Sequence, residues 1–326
     1  MTKENTLRVL ENFPNQCREA NKLGLDLKIP QNINCLAFLG MGGSSLPGEV
    51  IRSCLDLPFP LLIVRDYNLP MCINSSSQAF AVSYSGNTEE TISAYKEAMS
   101  RNASIIGISS GGKLEELCNA DGGAHIKVPS GIQPRDAVGY QTIPILNILY
   151  SSGLYPSFKE ELEEVFRSLE KDYKIEAKEI AKKLVGKATI IYSSGKLSSA
   201  ARIWKISFNE NCKIPAFYNE FPELNHNEII GYTQKGEFHV IMLADENDHS
   251  RVKARIEITK NLLEEKGMPV TVVKFAGKSK LAKIFEALYL GKWVSYFLAL
   301  EYGVDPEKVE MVEDLKKELD KSDHLS

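Results

Sequence analysis

Short, unbroken apolar runs recur from residue 34 onward, each followed by a helix-like stretch, and this rhythm restricts the fold more than any other feature of the chain. "CLAFLG" (35–40), "LLIV" (61–64), "AFAVSY" (79–84), "SIIGIS" (104–109) and "HIKVP" (125–129) read as strands. Helix-like segments lie between them near 44–56, 88–101 and 112–119, and another helical stretch follows Arg135. Strands that are apolar throughout, rather than alternating, are buried on both faces. Separated by helices, they predict an α/β fold built on a parallel sheet flanked by helices on both faces.

The rhythm pauses at "SSGLYPSF" (151–158), and a long charged helix pattern runs from about Lys159 to Lys187. Strands resume at "ATIIYSSG" (188–195), "FHVIML" (238–243) and "VTVVKF" (270–275), with helices expected at 196–211, 249–267, 279–302 and 306–321. A chain of 326 residues exceeds what one core usually serves. We therefore expect two domains, residues 1–155 and 156–326. The halves echo each other: "LAFLGMGGSSLPGEVIRS" and "TIIYSSGKLSSAARIWKI" both read as strand, Gly/Ser turn, helix.

Two of the turns carry unusual chemistry. "GMGGSS" (40–45) places Gly42 and Gly43 between a strand and a helix, where a backbone can approach a ligand closely. The free N–H groups of the helix start then face that ligand, and the helix dipole favours an anion. "SYSGNT" (83–88) repeats the logic with Ser83, Ser85 and Thr88. There Asn87 and Glu90 have the spacing of a capping box. Either turn alone has the makeup of an ordinary cap. Two at successive strand ends, on the carboxyl edge of a parallel sheet, point to the oxygens of a phosphate monoester.

Nucleotide motifs fit less well. No G-x-x-x-x-G-K-[ST] is present. Gly40 and Gly42 begin a G-x-G-x-x-G and Asp66 follows at a ribose-binding distance, but Ser45 replaces the third glycine. With a net charge of −4 and no basic stripe, the chain lacks the clustered cations that nucleic acid requires. No run is long enough to cross a bilayer, and "MTKENTLRVLENF" has no signal-peptide core. The six scattered cysteines read as reduced thiols, so a cytoplasmic location is expected. The five dispersed histidines give no metal-ligand set.

The second half concentrates its chemistry in "WKISFNENCKIPAFYNEFPELNHNEI" (204–229), which holds Glu210 and His226. Pro215 and Pro222 interrupt any continuous helix, so these two meet only through tertiary folding. Taken singly, Glu210 reads as a solvated carboxylate and His226 as a surface or loop histidine. Taken with "FLGMGGSS", "VSYSGNTEET", "PRDAVGY" and "VEDLKKEL", in that order, the stretch resembles the bifunctional phosphoglucose/phosphomannose isomerases. These belong to the phosphoglucose isomerase superfamily and have two sugar isomerase (SIS) domains. The resemblance covers about residues 34–320.

The resemblance implies that Gly42, Gly43, Ser44, Ser83, Ser85 and Thr88 hold the sugar phosphate. It implies Arg135 near the reacting carbons, Glu210 as the base that moves the proton, and His226 and Lys316 in ring opening. It implies no metal or cofactor. It also implies an obligate homodimer, with His226 supplied by the neighbouring chain. One position departs from the pattern: seven residues before Lys316 stands Val309, where a bifunctional relative has threonine, and this bears on activity toward mannose 6-phosphate. The reading at this point is a hexose 6-phosphate aldose–ketose isomerase. The alternatives are another SIS sugar-phosphate isomerase and a non-catalytic SIS-type regulator, which would need the phosphate turns but neither Glu210 nor His226.

Overall fold

The computed structural model describes residues 3–322 apart from residue 235; the outermost ends of the two expected domains, 1–2 and 323–326, lie outside the described residues. The first half runs α1 (Lys3–Glu11), α2 (Phe13–Ala20), β1 (Leu36–Leu39), α3 (Leu46–Cys54), β2 (Leu61–Val64), β3 (Gln78–Val82) and α4 (Glu89–Ser100). It continues with β4 (Ser104–Ser109), α5 (Gly112–Ala120), β5 (Ala124–Lys127) and α6 (Val138–Ser151). The second half begins with α7 (Phe158–Ser168), α8 (Lys174–Leu184), β6 (Ala188–Ser194), α9 (Ser198–Cys212) and β7 (Ala216–Phe221). β8 (Phe238–Ala244), α10 (Ser250–Glu265), β9 (Val270–Lys274), α11 (Lys280–Glu301) and α12 (Glu310–Ser322) follow.

Both sheets are parallel. The first has the order β2-β1-β3-β4-β5 and the second β7-β6-β8-β9, so the second repeats the order of the first, less one strand. In each, the strand order reverses beside the first strand in sequence. At such a switch point the connections leave in opposite directions and open a crevice at the carboxyl edge. In the first sheet that crevice lies between β1 and β3, where "GMGGSS" and "SYSGNT" begin.

Helices cover both faces. Ala37, Leu39, Ala79 and Ala81 pack under α4 and α5, while Phe38, Phe80 and Ile106 face the main core. Ile190, Tyr192 and Met242 pack under α10, while Ile191, Ile241 and Leu243 turn to that same main core. The main core lies between the two sheets and holds α11, which is buried along nearly its whole length. It takes in Tyr155 and Phe158, on either side of the expected boundary.

Three local expectations are corrected, and one strand absent from the sequence reading is present. The charged stretch 159–187 forms two helices, α7 and α8, because Leu169 and Tyr173 turn into the core and Asp172 Oδ1 accepts the Lys174 N–H at 2.9 Å. "AFYNEF" is a strand, β7, at the edge of the second sheet, where flanking prolines are tolerated. The capping box at α4 does not form: Thr88 is the N-cap residue, and Asn87 Oδ1 accepts the Lys113 N–H at 2.9 Å instead. The last helix starts at Glu310 rather than 306, after a bent strap in which Asp305 Oδ1 accepts the Glu307 N–H at 3.0 Å. Among the described residues, no helix is long and apolar enough to cross a membrane.

Candidate active site

The two hydroxyl-rich turns are bolted together. Gly42 takes φ +49°, and a Cβ there would meet nothing within 4 Å, so its outer side is open. Ser44 is buried, and its Oγ accepts the Tyr84 N–H at 3.0 Å and the Gln141 Nε2 at 3.0 Å. Ser44 therefore joins the first turn to the second, leaving only its own hydroxyl proton to give. In the second turn Ser83 Oγ lies 2.9 Å from Thr88 Oγ1, and Ser85 Oγ accepts the Asn87 N–H at 3.2 Å. Ser85 is exposed and Thr88 half-buried, whereas Ser83 is fully buried.

Arg135 enters from the third side, in a 3-10 turn (Pro134–Asp136) after β5. Gly43 makes room for it: a Cβ on Gly43 would lie 2.7 Å from the Arg135 main-chain nitrogen. The side chain is buried, and each of its five N–H donors has a protein acceptor. Nε donates to Asn211 Oδ1 at 2.7 Å. Nη1 donates to Glu210 Oε2 at 2.8 Å and to Gln133 Oε1 at 3.4 Å. Nη2 donates to the carbonyls of Pro306 at 2.8 Å and Glu307 at 3.2 Å. A substrate oxygen gains this guanidinium only by displacing one of these acceptors, and the long Gln133 contact is the weakest.

The turn beneath Arg135 is fixed by the buried Lys292, whose ammonium donates to the Arg135 carbonyl and to Asp136 Oδ1, both at 2.7 Å. Burial alone would raise the Asp136 carboxyl; the Lys292 and Arg135 charges outweigh it and hold it below the usual aspartate range. Asp136 thus stays ionised and the arrangement rigid.

Glu210 stands in the last turn of α9, about one-third exposed, with its carboxylate on Arg135. The neighbouring Lys213 donates to the Glu210 carbonyl and, at 2.6 Å, to the Lys308 carbonyl. Partial desolvation and the Arg135 charge hold its ammonium below the usual lysine range. The structure thus gathers Gly42, Gly43, Ser44, Ser83, Ser85, Thr88, Arg135 and Glu210 along one connected chain of contacts at the carboxyl edge of the first sheet.

It does not bring His226 or Lys316 into that group. His226 is exposed, in a 3-10 turn beyond β7. Two hydrogen bonds show that α9 and β7 run antiparallel. At one end Asn209 Oδ1 accepts the Ala216 N–H at 3.1 Å; at the other, Ser198 Oγ donates to Glu220 Oε1. Glu210 and His226 therefore lie at opposite ends of the second sheet, separated by roughly the length of α9 between Ser198 and Glu210, about 18 Å. Lys316 is exposed on α12, and Val309 is the residue just before this helix, its carbonyl accepting the Val312 N–H at 2.9 Å.

Sequence reasoning passed over Asn211, Lys213, Gln133 and the 305–308 strap. Asn211 and Lys213 lie inside the quoted "FNENCKIP" stretch, and "DPEK" (305–308) has the makeup of a turn. Only the fold places that turn on Arg135.

Residues 173–319 match the family described as the bacterial phospho-glucose isomerase C-terminal SIS domain. The bifunctional phosphoglucose/phosphomannose isomerase of Caldicellulosiruptor bescii is 39% identical over 94% of this chain and 97% of its own. That of Aquifex aeolicus is 37% identical over 98% of this chain and 99% of its own. The chain belongs to the bifunctional phosphoglucose/phosphomannose isomerase family. At the level of fold, the C-terminal domain of a glucosamine-fructose-6-phosphate aminotransferase from Francisella tularensis superposes with a TM-score of 0.75. That superposition covers 94% of this chain and 100% of the other, at 15% identity. In this member of the bifunctional phosphoglucose/phosphomannose isomerase family, the matched SIS segment carries Glu210, His226 and Lys316, while the two hydroxyl-rich turns and Arg135 precede it.

Proposed function

We propose that this chain interconverts glucose 6-phosphate and mannose 6-phosphate with fructose 6-phosphate through an enediolate. The observation that carries the reading is the 2.8 Å contact between Arg135 and Glu210, at the same sheet edge as the hydroxyl-rich turns. The Ser83, Ser85 and Thr88 hydroxyls, with Ser44 and the Gly42 and Gly43 N–H groups, hold the phosphate. The Glu210 carboxylate takes the C2 proton of the open-chain aldose and returns it at C1. Arg135 gives up Gln133 and turns that donor to the oxygen on which negative charge develops. The proton moves between adjacent carbons with no net redox change, so the reaction calls for no cofactor. A base that reaches C2 in either configuration accepts both epimers; Val309 bears on how well the mannose epimer is placed.

His226 and Lys316 open the sugar ring in this reading, as acid and base at the ring and anomeric oxygens. The gap of about 18 Å from Glu210 is met by a second copy that supplies its own His226, in a twofold homodimer with two shared sites. The two SIS-type units divide near residue 155, and the enzyme works in the cytoplasm.

A coupled assay with each aldose phosphate tests the reading. Turnover of both is expected, undiminished by EDTA. The folded Glu210→Gln variant should lose at least about 10²-fold in kcat and still bind a sugar-phosphate inhibitor. No turnover of either aldose phosphate by the wild-type chain would overturn it.

A further inference from the structure

Lys213 holds a conformation that lysine resists. It ends α9 at φ +60° and ψ +31°, in the left-handed region that glycine takes freely. Among the described residues other than glycine, Asn102 alone shares a positive φ, and asparagine tolerates it. A glycine here would end the helix without strain, so the lysine side chain must do something that glycine cannot.

Its ammonium makes two contacts. One is the Glu210 carbonyl, among the last of α9 and so without a helical partner. The other is the Lys308 carbonyl, 95 positions away. At the end of α11 the comparable carbonyl, of Ala299, is capped by the main-chain N–H of Val304 at 3.1 Å. At α9 a side chain takes the part instead, and it reaches across to the strap. That strap offers its Pro306 and Glu307 carbonyls to Arg135. Two cations therefore grip three successive carbonyls, and the strap leads directly into α12 and Lys316.

We propose that Lys213 is a positioning residue for proton transfer. It ties the Glu210 end of α9 to the 306–308 strap, setting the Glu210 carboxylate against Arg135 and fixing the point from which α12 departs. This rests on the isomerase reading for its consequence in turnover, but the tether is a physical link that can be measured without turnover.

The test compares the wild-type chain with Lys213→Gly and Lys213→Arg. Glycine relieves the backbone, so the melting temperature should stay level or rise. The KM for fructose 6-phosphate should stay within about twofold, because the phosphate turns are untouched, while kcat falls about tenfold as the base loses its placement. Arginine restores donors to both carbonyls and should keep at least about a third of wild-type kcat. Wild-type kcat in Lys213→Gly would overturn the proposal. So would a loss of stability large enough to account for the lost turnover. Hydrogen exchange over residues 304–312 reads the tether directly and is independent of whether the chain is an isomerase. Exchange should quicken by at least about fivefold in Lys213→Gly, and unchanged exchange would overturn the proposal whatever the assay shows.

Discussion

Glu210 and His226 sit at opposite ends of α9 and β7, two elements whose antiparallel register is pinned by the Asn209–Ala216 and Ser198–Glu220 hydrogen bonds. About 18 Å of helix separates them. No side-chain rotation spans that distance, so the two cannot act on one sugar within one chain in this arrangement. Arg135 and Glu210, by contrast, come from the turn after β5 and the last turn of α9, and they touch. The fold therefore brings Arg135 and Glu210 into contact and leaves the His226 of the same chain far from them.

The two hydroxyl-rich turns give the first prediction. Ser85 is exposed and Thr88 half-buried, so both hydroxyls can reach a ligand, whereas Ser44 also holds Tyr84 and Gln141 and its loss would disturb the turns themselves. Charge-assisted hydrogen bonds contribute about 1.5–3 kcal/mol each. Ser85→Ala with Thr88→Ala should raise the KM for fructose 6-phosphate at least about tenfold. Steady-state kinetics at matched melting temperature checks it, and an unchanged KM would place the phosphate elsewhere.

Gly43 gives the second. A methyl group at this position would sit 2.7 Å from the Arg135 nitrogen and 2.8 Å from the Pro134 carbonyl carbon, and main chain cannot step aside as a side-chain tip can. Gly43→Ala should destabilise by about 1–3 kcal/mol through overpacking and lower kcat by moving Arg135. Urea unfolding and kinetics test the two effects; a variant with both values intact would mean the turn and Arg135 are not in the contact described.

How much of this was legible follows from the physics of each element. β1, β3, β6 and β8 were plain because strands buried on both faces must be apolar throughout. β7 was not, because an edge strand needs apolar side chains only in part, and "AFYNEF" hides between two prolines. The break between α7 and α8 was silent because its charges suit a helix; what ends α7 is the burial of Leu169 and Tyr173 in a core that the local sequence does not reveal. Within the site, the spacing of "SYSGNT" on a strand end spoke for itself. The Arg135–Glu210 contact joins positions 75 apart, and no local pattern encodes it. Ser44 looked like a ligand donor and is also a bolt between two turns, because hydroxyls serve both ends equally well.

A pH prediction comes from His125, whose Nε2 lies 2.8 Å from Ser109 Oγ just below the third turn of the first sheet. Burial pushes this imidazole below its ordinary value of 6.5; Glu115 opposes that and Lys127 adds to it. The unfolded chain therefore takes up the proton more readily than the folded one. The stability that His125 contributes is fully present above about pH 6.5 and is lost as pH falls through the lowered folded value. Urea midpoints measured from about pH 7.5 down to about 5.5 should drop less steeply for His125→Gln than for the wild type. Equal slopes would contradict the assignment.

The central claim is that a reacting site is assembled from Glu210 of one chain and His226 of another. It is tested most directly by mixing inactive Glu210→Gln with inactive His226→Ala under conditions that exchange subunits. In a mixed dimer with shared sites, one site carries both lesions and the other neither. Half the dimers are mixed and half of their sites are intact, so random exchange should restore about a quarter of wild-type activity. If each chain builds its own site, every site keeps one lesion. Confirmed exchange with no recovered activity would contradict the account.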